Sequence, residues 1–162
     1  MNSEQLKQYP LALGRLGIYG LSKMHKEGND GKGIKIGAMD VFNIEHGGNV
    51  ISNIIGKPVN GQMFGTAPGA TVVKYKMDTV NVDSVVRMLK ECIVDEVDII
   101  VMSFKIGANY IKLQKQIREC AKHNILMIAA AGNDGDKYHD NVNIKTYPEE
   151  YPEVISVGPV RS

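Results

Sequence analysis

Four residues in this chain could do chemistry together: Asp40, His46, Ser103 and Asn133. A carboxylate at the end of a strand can orient a neighbouring imidazole and favour its protonated form, so that the ring takes a proton from a nucleophile. An asparagine amide just past a neighbouring strand end can donate to a developing oxyanion, worth about 3 kcal/mol when the other groups are in place. Each residue also has a plainer role open to it. Asp40 is a good helix N-cap, and His46 is an ordinary helix-start residue. Asn133 belongs to Gly-Asn-Asp-Gly, a turn sequence in its own right. Ser103 suits a hydrogen-bonded strand end. His46-Gly-Gly at a helix start could cradle a phosphate, although it lacks the full Gly-x-Gly-x-x-Gly spacing.

The elements that must position these residues follow from the apolar pattern. Ile34 to Met39 is a short apolar strand running into Asp40, and His46 to Ile55 has Val50, Ile51, Ile54 and Ile55 at helical spacing. Ala70 to Met77 reads as a second strand after the turn Gly65-Thr-Ala-Pro-Gly69. Asn81 and Asp83 can start a helix whose apolar face carries Val85, Val86, Leu89, Ile93 and Val94. Further strands are read at Ile99 to Phe104, Ile125 to Ala131 and Val154 to Gly158, with an amphipathic helix from Tyr110 to His123. Leu11 to Lys26 has room for one more short helix, ended at Gly28. Strands apolar on both faces, alternating with helices, indicate a parallel sheet covered on both sides. The fold class is therefore α/β, a three-layer α/β/α arrangement with a mostly parallel sheet of about five strands. Ligands collect at the carboxyl ends of such strands, and Asp40, Ser103 and Asn133 all sit at or just past one. A single domain over residues 1–162 is expected, with a mixed N-terminal segment at 1–30 and a mobile loop at 134–150.

The motifs resemble the subtilisin-like serine proteases, the subtilases, in family order. Gly31-Lys-Gly-Ile-Lys-Ile-Gly-Ala-Met-Asp40 looks like their first strand, which ends in the catalytic aspartate. His46-Gly-Gly-Asn-Val50 is similar to His-Gly-Thr-His-Val, whose first histidine is the general base. Gly65-Thr-Ala-Pro-Gly-Ala70 is similar to their Gly-Val-Ala-Pro stretch, and Val101-Met-Ser-Phe104 to the strand Asn-Met-Ser-Leu that binds substrate backbone. Ala129-Ala-Ala-Gly-Asn133 matches the oxyanion-asparagine motif, and Tyr151-Pro-Glu-Val-Ile-Ser-Val-Gly158 the strand after it. The resemblance implies a reduced subtilisin-like fold, with Asp40, His46 and Asn133 as catalytic-position residues and Ser103, Phe104 and Lys105 along the substrate strand.

The departures are as informative. The family's nucleophile lies in Gly-Thr-Ser-Met-Ala, opening a helix beyond the last strand seen here. None of the seven serines (Ser3, Ser22, Ser52, Ser84, Ser103, Ser156 and Ser162) stands in that context. The link from Asp40 to His46 is very short, where the family inserts a strand or hairpin. Lys105 stands where glycine is usual, and a long charged side chain there would obstruct the specificity cleft. In the family the serine-bearing helix and its successors cover one sheet face. Their loss would expose apolar surface, and large exposed apolar patches mark interaction sites.

The expectation is thus a non-catalytic relative, a pseudoprotease acting by binding a protein or peptide, or by self-association, through that uncovered face. Two alternatives stay open: the front part of a split protease whose serine another chain supplies, and a nucleotide-binding or other enzyme domain using the same sheet edge. A net charge of +1 over 162 residues gives no electrostatic footprint for nucleic acid. No apolar run approaches the roughly 20 residues of a membrane helix, and no signal-peptide pattern opens the chain. Cys92 and Cys120 lack CxxC or CxH partners and read as reduced, partly buried thiols. No metal or other cofactor is implied, and cytoplasmic residence is expected.

Overall fold

Short runs of Ile, Val and Met flanked by capping residues dictate the architecture. In the computed structural model, described over residues 20–41, 46–57, 65–132 and 145–158, they form strands β1 (Lys35–Asp40), β2 (Thr71–Lys76), β3 (Ile99–Met102), β4 (Leu126–Ala130) and β5 (Val154–Val157). The helices are α1 (Leu21–Lys26), α2 (His46–Ile55), α3 (Val82–Val94) and α4 (Ile111–Lys122). These residues group into two compact units. One holds residues 20–34, 46–57 and 65–72, the other residues 35–41, 73–132 and 145–158.

In the first unit, α2 ends against the turn that the sequence marks at Gly65. Helix ends leave carbonyls without intrahelical donors, and here Thr66 N–H donates to Asn53 O (3.0 Å) and Ala67 N–H to Ile54 O (2.7 Å). The approach is so close that a Cβ on Gly65 would lie 2.4 Å from Gly56 N, which only glycine permits. His25 Nε2 donates to Thr66 O at 2.9 Å and ties α1's last turn to the same turn.

The second unit carries a five-stranded sheet in the order β2-β1-β3-β4-β5. β1 with β3, β3 with β4 and β4 with β5 are parallel pairs, in registers such as Met39 opposite Met102 and Met102 opposite Ala129. α3 and α4 pack together over one face. Its core is built from Val85, Met88, Leu89 and Cys92 of α3, Leu113, Ile117 and Cys120 of α4, and Ile100, Met102 and Met127 of the sheet. The buried stripe of α3 runs at i, i+3, i+4 and i+7 from Val85. Val94, read from sequence as part of the apolar face, falls off it and is 80% exposed. Asn81 caps α3, its Oδ1 accepting from Ser84 N–H at 2.9 Å, as its residue type favours. Among the described methionines, those at 39, 77, 88, 102 and 127 fill this core, and Met24 lies on the surface of α1. The expected helix from Leu11 is observed from Leu21, its earlier part lying outside the described residues, as does most of the loop expected at 134–150.

The other face of the same strands is different. Side chains alternate across a strand, so Val101, Leu126, Ile128, Ala130, Ile155 and Val157 point away from α3 and α4. Leu126 is 45%, Ile155 49% and Val157 53% exposed, and Ala130 is exposed beside them. A parallel sheet ordinarily has both faces covered.

Candidate active site at the carboxyl edge of the sheet

The strand order places a topological switch point between β1 and β3, where a doubly wound sheet opens its ligand crevice. Asp40 is the last residue of β1. It is 3% exposed, the one buried ionisable side chain of charged type among the described residues. Burying a carboxylate costs several kcal/mol without a partner, and Asp40 is engaged rather than free. Its carbonyl accepts from Met77 N–H at 3.2 Å, just past β2.

Ser103 follows β3 directly. Its N–H donates to Met39 O at 3.4 Å, and continuing the Met39–Met102 register sets it abreast of Asp40. Phe104, next along, turns inward and is 8% exposed, so its ring belongs to the core. Lys105 is exposed. A Cβ built on Gly132, past the end of β4, would lie 4.0 Å from Lys105 Cδ. The second unit thus brings together Asp40, Ser103 and Lys105 on one sheet edge. His46 opens α2 in the first unit, exposed and also engaged, and Asn133 lies outside the described residues. No three of His, Cys, Asp and Glu gather as a metal site among the described residues.

Sequence reasoning missed what holds this edge. Ile106 and Tyr147 exchange two backbone hydrogen bonds, Ile106 N–H to Tyr147 O (2.7 Å) and Tyr147 N–H to Ile106 O (2.9 Å). Tyr151 OH donates to Asn109 Oδ1 at 2.9 Å, its ring 4.9 Å from that of Tyr147, and burial raises its phenol pKa. The only signal was the pair of aromatics in Tyr147-Pro-Glu-Glu-Tyr151, of which Tyr151 alone was read, as the start of the motif leading into the last strand. Beneath the sheet, Tyr75 OH donates to Asp95 Oδ2 at 2.6 Å; burial first, then that bond, raises its pKa far above the ordinary phenol range. Burial likewise pushes the Cys92 thiol up to about 12 and Cys120 up to about 11. These thiols are structural, buried and unpaired.

Comparison with known proteins agrees with the motif order. The model of the Subtilase family, Peptidase_S8, matches residues 29–162. The chain is 29% identical over 140 residues to the major intracellular serine protease of Bacillus subtilis (strain 168), covering 83% of this chain and 43% of that protein. It is 31% identical over 119 residues to the intracellular serine protease of Paenibacillus polymyxa, covering 71% and 36%. It therefore spans less than half the length of these curated relatives. Among solved structures, MycP1 with its N-terminal propeptide removed superposes with TM-score 0.75 at 17% identity, over 93% of this chain and 62% of that one. The prenylagaramide maturation protease PagA gives 0.67 at 23%, over 85% and 57%. With the family model matching most of its length and the same α/β fold in its structural neighbours, the chain belongs to the subtilase family of subtilisin-like proteases.

Proposed function

We propose that this chain acts as a non-catalytic subtilase relative in the cytoplasm, binding a protein or peptide, or a second copy of itself, across the bare sheet face. The observation that carries the reading is the trio Leu126, Ile155 and Val157, each about half exposed on neighbouring parallel strands. Aliphatic side chains so placed on a sheet of this type mark an interaction surface. The absence of a Gly-Thr-Ser-Met-Ala context around any of its serines favours binding over covalent catalysis by these 162 residues. Both curated relatives are named as intracellular proteases, and two buried unpaired thiols suit a reducing compartment.

The purified chain should hydrolyse no peptide substrate and take no label from a fluorophosphonate probe. It should scatter light as an assembly at micromolar concentration, or be driven into one by its partner, and Leu126→Glu with Ile155→Lys should abolish that association. Hydrolysis with a labelled serine, or a strictly monomeric chain indifferent to both substitutions, would overturn the reading.

The buried Asp40 at the switch point favours one second reading, in which another chain supplies the serine segment. Mixing this chain with the serine-bearing remainder of a subtilase would then restore activity, and Asp40→Asn would remove it.

A further inference from the structure

A strand at the edge of a sheet presents backbone groups that invite another strand, and proteins guard such edges with charge, proline or a covering segment. The two edges of this sheet, β2 and β5, are guarded unequally. β2 carries Lys74 and Lys76, two residues apart and so on one face, and both are exposed. β5 reads Val154-Ile-Ser-Val157, with no charge, proline or glycine, and its β-branched residues suit strand pairing. Glu153, the charge just before it, is turned to Arg118 at 3.2 Å. Ile155 and Val157 are 49% and 53% exposed, and Ser156 is exposed between them. Among the described residues, β4 alone pairs with β5.

The hydrogen bonds of β5 fix which of its groups face outward. Ala131 N–H donates to Val157 O at 2.9 Å, with Ala130 opposite Val157, so Val157 turns its backbone groups toward β4. Backbone groups alternate in direction from one strand residue to the next. Ser156 therefore points both its N–H and its C=O away from β4, and Val154 O points the same way. Val154 N–H is used locally, donating to Tyr151 O at 2.9 Å.

A second β5 laid antiparallel about Ser156 satisfies these groups. The two Ser156 residues exchange both N–H···O bonds, and Val154 O of each copy accepts from Gly158 N–H of the other. The same register sets Ile155 of one copy opposite Val157 of the other, twice by symmetry, on the bare face. The other edge offers no equivalent. Two β2 strands would bring rows of lysines together, and like charges across a pair are destabilising. Joining β5 to β2 of the next copy would be head-to-tail and leave an open edge on every assembly.

We propose that β5 is a homodimerisation edge, pairing antiparallel with β5 of a second copy about a twofold axis at Ser156 and joining the two sheets into one. Such a dimer is closed, because only the lysine-bearing β2 edges remain at its ends. Edge pairing presupposes the self-association proposed for the bare face, but it seats the contact on backbone groups of one strand.

The test is sedimentation of the native chain, Ser156→Ala, Ser156→Lys, Ser156→Glu and Leu126→Glu at micromolar concentrations, with thermal unfolding confirming that each is folded. The native chain and Ser156→Ala should be dimers, since the bonds at this position are made by backbone. Ser156→Lys and Ser156→Glu, which each set like charges directly opposite, should associate about tenfold more weakly or worse. An equal mixture of the two should return a one-to-one dimer. A monomeric native chain, open-ended assemblies, a mixture no better than its components, or loss of the dimer in Ser156→Ala each overturns edge pairing. Association that survives Ser156→Lys but not Leu126→Glu sinks the edge and leaves the face reading standing. The reverse pattern, with the mixture restored, keeps the edge and removes the face from self-association. A native monomer leaves the face reading to a foreign partner alone.

Discussion

Asp40 and the two cysteines show how burial assigns different work to single residues. Asp40 was legible as a strand-end carboxylate because an apolar run ends on it, and the structure adds that it is enclosed and abreast of Ser103. Cys92 and Cys120 were read as partly buried; both are fully enclosed between α3, α4 and the sheet. Their pKa values, raised by burial to about 12 and about 11, mean that the folded chain holds these protons more tightly than the unfolded one. The stability that this reflects is complete below the unfolded value near 9.0 and is lost as pH climbs through the folded values. The urea midpoint should accordingly fall steadily above about pH 9, with the buried Tyr75 contributing in the same direction. A disulfide-exchange reagent at pH 8 should leave both thiols untouched in the native chain and react with both in urea. Rapid native labelling would contradict their enclosure. Lys105 was flagged from sequence as a long side chain where glycine is usual, but its lie against Gly132 is a rotamer fact that no spacing rule contains.

At the level of elements, periodicity located each strand among the described residues, and the helices α2, α3 and α4, to within one or two residues. It did so because caps and breakers stand at their ends, Asn81 before α3 and Asn124 after α4 among them. It erred at one position of α3. Val86 and Ile93 pack against the core beside the stripe through Val85, Met88, Leu89 and Cys92, but Val94 is 80% exposed, and composition alone cannot rotate a helix with apolar residues this widely spread. Urea unfolding should register that rotation. Leu89→Ala should cost about 2–5 kcal/mol through a cavity, Asn81→Ala about 1 kcal/mol through the lost cap, and Val94→Ala no more than about 0.5 kcal/mol. A large loss at Val94 would mean that α3 is turned otherwise. The tie between the segments after β3 and before β5, through Ile106, Tyr147, Tyr151 and Asn109, was illegible because it joins residues about 40 apart whose types are individually unremarkable.

For the whole molecule, the sequence motifs established family and fold class, and the exposed sheet face was foreseen from what the family places there. What pattern could not supply is the division into two compact units, with His46 in one and Asp40 in the other. If the apolar face is covered by association, stability becomes a property of concentration, since anything that binds only the folded state raises its apparent stability. The melting temperature should then rise over a hundredfold increase in chain concentration and become flat in Leu126→Glu with Ile155→Lys. A flat response in the native chain would argue that the face functions uncovered.

The sheet order has a kinetic side. β3, β4 and β5 are laid down beside one another through crossovers of about 25 residues, but β1 must pair with a strand more than 60 positions later, as Ile36 does with Ile99. Closing the longer loop is entropically dearer and slower. The portion of the sheet bearing Ser103 and Lys105 can consequently assemble first, with β1 entering between β2 and β3 to bring Asp40 to its place late. Read backwards, β1 is the strand whose release would dismantle the carboxyl edge while leaving the β3–β4–β5 ladder intact, and its amides are where hydrogen exchange would see that opening.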